Sequence, residues 1–285
     1  MEGISLTDSH THLWNIENFP YTWLDDLDEI SKSHELEEYD SERGTESVED
    51  IVFVECTVSF EDRVSREEVR WVSALSEKDE RIRGIVAHAS LERGAAVRSH
   101  LQWLSENPQV KGVRRILQNE PKDFFLQSSF VEGVQALSDF DFSFDLTINA
   151  PQLQSATELV DQCPEVEFIL DHAGKPNIQE GQFKPWNKNL ALLAQRPNVA
   201  CKISGLLTEA DPETWTQDQI ESYIHRAIEV FGADRVLFGG DWPVLRLAAD
   251  YGTWLDVLVE ATESFSISEK RKFFRSNAMR VYQLE

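Results

Sequence analysis

The stretch Ile220-Glu-Ser-Tyr-Ile-His-Arg-Ala-Ile-Glu-Val-Phe-Gly-Ala-Asp-Arg-Val-Leu-Phe-Gly-Gly-Asp241 holds one unit of the fold. Ile220, Tyr223, Ile224, Ala227, Ile228 and Phe231 recur at i, i+3, i+4, the apolar stripe of a helix. Residues 235–241 then form a short apolar run ending on two glycines and an aspartate, which reads as a buried strand turning out of a sheet. Working outward, similar strand-like runs occur at 4–12, 51–57, 82–89, 110–117, 142–149, 166–173 and 199–204. Helical spacing separates most of them, as in Val64, Val69, Val72 and Leu75 or Leu153, Ala156, Leu159 and Val160. A last helix is expected to open at Ser268, before Glu269-Lys-Arg. Strands alternating with helices over short connections predict a parallel sheet, and eight such units predict closure into a (β/α)8 TIM barrel of the α/β class. A doubly wound open sheet is the alternative, but no GxGxxG or Walker glycine loop follows any strand. With no repeat and no Pro/Gly-rich linker, residues 1–285 read as a single domain.

The chain carries 51 acidic against 27 basic side chains, a net charge of −24. A nucleic-acid surface needs a basic face, and an anionic membrane repels an acidic one, so neither is an expected partner. The N-terminus has no basic n-region, the apolar runs are too short to span a bilayer, and Cys56, Cys163 and Cys201 form no CxxC pair. Reduced thiols and a cytoplasmic location are therefore expected, and a homo-oligomer is left open. Residues 25–50 hold 12 acidic and two basic side chains, −10 of the total. This acidic insertion connects the first two strands over the face where barrel active sites lie. It reads as a solvated loop or short helix, or as a lid.

The polar strand tips carry the chemistry. Strand alternation places His10 and His12 on one face, able to share a metal ion or a substrate oxygen. His172 shares parity with Phe168 and Leu170 and is expected to point inward. Asp241 ends the eighth run. Alone it reads as a turn residue, but together with three histidines it can bind a divalent ion or act as a general base. Glu55, sharing a face with Ile51 and Phe53, is either a ligand for metal or sugar or a buried carboxylate paired with an arginine. Of Arg114 and Arg115, alternation lets only one line the pocket, and Arg115 is expected to do so through its parity with Val113. His88 is a further expected substrate contact. Trp14 and Trp242 either wall the pocket or pack in the core, and His34, His100 and His225 read as surface residues.

Five ordered motifs, Asp8-Ser-His-Thr-His-Leu-Trp14, Val110-Lys-Gly-Val-Arg-Arg115, Leu170-Asp-His-Ala-Gly-Lys-Pro176, Cys201-Lys-Ile-Ser-Gly205 and Phe238-Gly-Gly-Asp-Trp-Pro-Val244, resemble the amidohydrolase-2 family, in its sugar-lactonase and 2-pyrone-4,6-dicarboxylate lactonase branch. The resemblance implies a (β/α)8 barrel that hydrolyses a small-molecule lactone, with His10, His12, His172 and Asp241 as catalytic residues and as ligands of one divalent metal, zinc foremost. Metal-free catalysis is the alternative within the branch. Gly240 departs from the serine frequent in the family, which removes a hydroxyl near Asp241. Asp241 is expected to activate water against the lactone carbonyl, and a neutral sugar lactone suits the acidic rim. The competing readings are a metal-dependent decarboxylase of the same superfamily and a non-catalytic barrel binding basic partners through 25–50.

Overall fold

Eight parallel strands hydrogen-bond in chain order in the computed structural model, which describes residues 3–284. They are β1 (Leu6–Thr11), β2 (Val48–Val54), β3 (Ile82–His88), β4 (Val110–Arg114), β5 (Ser143–Leu146), β6 (Phe168–Leu170), β7 (Val199–Ile203) and β8 (Val236–Phe238). One principal helix follows each: α1 (Leu36–Arg43), α2 (Asp62–Ser76), α3 (Arg98–Ser105), α4 (Ser128–Gln135), α5 (Leu153–Gln162), α6 (Phe183–Leu193), α7 (Gln217–Phe231) and α8 (Tyr251–Ala261). The ring closes just past β8, where Asp241 N–H donates to the His10 carbonyl and His12 N–H to the Trp242 carbonyl, both at 2.7 Å. This is the (β/α)8 TIM barrel expected from the alternation.

The opening stretch forms α7 and β8. Thr216 caps α7 by accepting the Gln219 N–H, and Gly232 ends it at φ 73°. Ile220, Tyr223, Ile224, Ala227 and Phe231 are buried against the sheet. The last helical segment starts two residues earlier than expected. Ser266, not Ser268, is its cap, and Glu269 completes a capping box with it. The reason is reach, because only a residue three positions before Glu269 can exchange both bonds.

Strand parity differs from the expectation on three strands. Ile51, Phe53, Val113, Phe168 and Leu170 pack outward in the main core between sheet and helices. The barrel interior is a separate cluster of Val52, Val54, Val86, Ile169, Ala200 and Leu237. Parallel strands are apolar on both faces, so parity alone does not tell which face is inside. The interior is plugged by Ala278, Val281, Tyr282 and Leu284, which follow α8 in the chain and join that cluster.

Residues 25–50 take the short-helix alternative, with most side chains at least partly exposed, and none of them lines the cavity over Asp241. Ile30, His34 and Tyr39 are fully buried, α1 occupies the middle, and Val48–Asp50 already belong to β2. Trp14 N–H donates to the His34 carbonyl and His34 N–H returns the bond, at 3.0 and 2.8 Å. Arg246 pairs with Glu38 and Glu42 at 2.6 and 3.0 Å, so part of the acidity is matched locally. Cys56, Cys163 and Cys201 are all buried free thiols. Among the described residues no helix is long and apolar enough to cross a membrane.

Candidate active site

The expected polar strand tips do converge, but the chain brings them together by leaving the strands rather than by pleating along them. β6 stops at Leu170 and β8 at Phe238, and both His172 (φ 53°) and Asp241 (φ 57°) sit in the left-handed region. Non-glycine residues held there cost free energy that the surrounding structure must offset, and such residues cluster at functional sites. Gly205 makes the arrangement feasible. At φ +58°, a Cβ on it would lie 2.5 Å from His172 Nδ1 and 2.8 Å from Asp241 Oδ2.

His10 Nε2 and His12 Nε2 are 3.2 Å apart, and each is 3.6 Å from Asp241 Oδ1. His12 Nδ1 donates to the Val54 carbonyl at 2.8 Å, which leaves the Nε2 lone pair facing Asp241. His10 Nδ1 lies 3.3 Å from Asp171 Oδ1 and 3.2 Å from Lys202 Nζ. Burial, followed by the Lys202 charge, holds the His10 ring well below its usual pKa, and burial lowers that of His172. Burial pushes the Asp241 carboxyl up, yet His172, His12 and His10 beside it more than offset that and hold it well below the usual carboxylate range. Two imidazoles and an ionised carboxylate thus aim three donor atoms at one point, spaced as the ligands of a small divalent ion are. His172 is not the fourth member of that set. It offers an atom to a second set with His10 and Asp171, and its Nδ1 sits 2.9 Å from Ser204 Oγ and 3.9 Å from Asp241 Oδ2. The donor types and spacing fit a metal at His10, His12 and Asp241.

Beneath the histidines lies a buried ionic network that sequence reasoning missed. Lys202 Nζ donates to Asp145 Oδ2 at 2.6 Å, lies 3.1 Å from Asp171 Oδ1, and sits over the Tyr282 ring at 5.2 Å. Tyr282 OH also donates to Asp145 Oδ2, at 2.7 Å, and Thr147 to Asp171 at 2.6 Å. The available signal was a lysine inside the otherwise apolar Val199–Ile203 strand, which a fully buried ammonium occupies only when paired.

A cavity of about 250 Å³ opens above Asp241, His12 and His172, walled by Trp23, Phe60 and Arg114. Arg114, not Arg115, reaches it. Arg115 turns outward to Glu92 and Glu120 at 3.3 and 2.7 Å, with its guanidinium 4.3 Å from the Phe60 ring centroid. Glu55 takes its bland alternative, a buried carboxylate 2.7 Å from Arg114 Nε. His88 is buried behind Phe60, 5.4 Å between rings, and does not line the cavity. Trp14 and Trp242 are fully buried, each near His34, with their N–H groups spent on the Lys32 carbonyl and on Glu42. Aromatic walls come instead from Trp23 and Phe60, at positions the motifs did not mark. His34 and His100 are fully buried rather than on the surface, whereas His225 is exposed as expected.

Gly240 has a packing reason unrelated to Asp241. A Cβ there would lie 2.5 Å from Asp8 Oδ2 and 2.6 Å from Tyr251. Tyr39 and Tyr251 hydroxyls already donate to Asp8 Oδ2 at 3.0 and 2.8 Å, and Gly240 N–H to Oδ1 at 2.7 Å. The space that a side chain at 240 would enter is filled by Asp8 of β1 and Tyr251 of α8.

The chain is similar to known proteins along its whole length. The family model described as Amidohydrolase matches residues 7–284. An L-fucono-1,5-lactonase from Burkholderia ambifaria is 28% identical, aligned over 98% of this chain and 95% of its own length. An L-rhamnono-gamma-lactonase from Scheffersomyces stipitis is 24% identical over the whole of both chains. The solved structure of an amidohydrolase from Burkholderia multivorans with bound zinc is 26% identical, with a TM-score of 0.88 and coverage of 99% of this chain and all of that one.

Proposed function

The chain belongs to the amidohydrolase family, and from that premise we propose that it opens a neutral sugar lactone by water attack on the ring carbonyl, with Asp241 as general base. The observation that carries this reading is an ionised carboxylate at the floor of a small cavity, within 3.6–3.9 Å of three histidines. The lactonase relatives support the substrate class, and the acidity of the chain favours a substrate without negative charge.

His10, His12 and Asp241 would hold a divalent ion, zinc by likeness to the zinc-bound neighbour, and such an ion supplies Lewis acidity that polarises a carbonyl and acidifies water. Asp241 accepts a proton from the water as its oxygen bonds to the carbonyl carbon. Arg114 and His172, both lining the cavity, face the oxyanion that develops. Asp241 then returns the proton to the ring oxygen as the carbon–oxygen bond breaks, and the ring-opened acid leaves. Ser204 fixes the His172 ring, and Lys202 with Asp171 fixes that of His10.

The test is a hydrolysis screen over aldonolactones, with and without added zinc, in the wild type and in Asp241→Asn. Ring-opened acid from the wild type and a loss of about 10²–10⁴-fold in the variant are expected. Near-normal turnover by Asp241→Asn refutes the base assignment. Release of carbon dioxide from an aromatic acid, with no lactone opened, replaces the reading by that of a decarboxylase.

A further inference from the structure

Beside the site cavity, and sharing Lys175 with it, lies a second, larger hollow that the lactone reaction does not use. About 630 Å³ in volume, it lies on the same barrel mouth, between the loops that follow β4, β5, β6 and β7. Lys175 lines both spaces, and its ammonium is tied to Glu209 at 2.8 Å, so the residue where they adjoin is charge-balanced. Asn149, Gln154, Asn177, Gln179, Gln182 and Asn189 all contribute to the lining. The side-chain amides of Gln179, Gln182 and Asn189 make no hydrogen bond to any described residue. The acidic stretch 25–50 contributes nothing to this side of the mouth.

We propose that this groove is a subsite for a second sugar unit, so that the preferred substrate is a glycosyl-aldonolactone rather than a bare aldonolactone; this rests on the lactonase reading above. An amide both donates and accepts, as does every sugar hydroxyl, and a lining of amides suits a neutral polyol better than an ion. The volumes agree. The site cavity of about 250 Å³ is smaller than the roughly 300–1,000 Å³ of pockets that hold larger ligands and suits one ring, while the groove adds 630 Å³ beside it. Remote binding of a non-reacting unit is a recognised way to raise kcat/KM.

The experiment compares kcat/KM for an aldonolactone with that for lactones made by oxidising the reducing end of disaccharides linked through O3, O4 and O6. At least one linkage is expected to exceed its parent aldonolactone about tenfold. In Gln182→Ala/Asn189→Ala, two changes on a polar surface, the ratio of glycosylated to parent lactone is expected to fall to about one. Hydrolysis of parent lactones with no glycosylated lactone surpassing them overturns the subsite and leaves the lactonase reading standing. An enhanced ratio that survives the double substitution also overturns it. If neither kind of lactone is opened, the lactonase reading fails and the subsite falls with it.

Discussion

Glu68→Gln should stabilise the protein, by an amount that grows with pH. Glu68 lies in α2, buried, with Oε1 accepting the Cys56 N–H at 3.1 Å. Glu55 and Glu68 are both buried near one guanidinium, and Arg114 bonds Glu55. Glu55 therefore stays charged, below its usual range despite burial, while burial and then the Glu55 charge push Glu68 up to about 8. A carboxyl whose pKa is raised on folding contributes stability that is full below its unfolded value of 4.5 and lost as pH rises through 8. At pH 7 the loss is about 3 kcal/mol, from about 1.4 kcal/mol per pH unit over the interval above 4.5. Glutamine keeps the acceptor for Cys56 and does not titrate. Urea unfolding at pH 5, 6, 7 and 8 should show the variant gaining on the wild type by about 1.4 kcal/mol per pH unit across the middle of that range. A difference that does not change with pH would refute the argument, whatever its absolute size.

Three other outcomes follow from the structure. Arg114→Leu strands the Glu55 carboxylate and should cost about 3–5 kcal/mol in urea unfolding, with Glu55→Gln in the same chain recovering much of it. Gly133→Ala should lower the melting temperature sharply, because its Cβ would lie 1.9 Å from the Leu91 carbonyl oxygen and one backbone must move, at about 1–3 kcal/mol or more. Zinc at a hundredfold excess over its Kd should add about 2.7 kcal/mol of thermal stability in a melting assay, and His12→Ala should abolish most of that gain.

The barrel and the residues that converge at its mouth were legible in the chain, but the layer beneath them was not. Alternating periodicities fixed eight strand–helix units because each must bury a face of known spacing. His10, His12, His172 and Asp241 stood out because polar residues at the ends of apolar runs need a reason. Parity then misled. His172 arrives through a left-handed turn, not along the face of Phe168 and Leu170, and Arg114 is the inward arginine because its neighbour Val113 packs outward and alternation turns Arg114 the other way. Lys202, Asp145 and Asp171 lie 26 to 57 positions apart, and their meeting follows only from closing the ring. Trp23 and Phe60 come from connections, whose paths no periodicity specifies.

The plug of Ala278, Val281, Tyr282 and Leu284 has a consequence for biosynthesis. A nascent chain has all eight strands before it has the residues that fill the barrel's centre, since these follow β8 in order of synthesis. Until they arrive, Asp145 lacks the Tyr282 hydroxyl, and Lys202 lacks the ring beneath it. The contacts of Tyr282 with Lys202 and Asp145 are thus among the last that the growing chain can make. A chain that stops short of that stretch would keep the pairs of Lys202 with Asp145 and Asp171 but lose the apolar filling and the tyrosine beneath them.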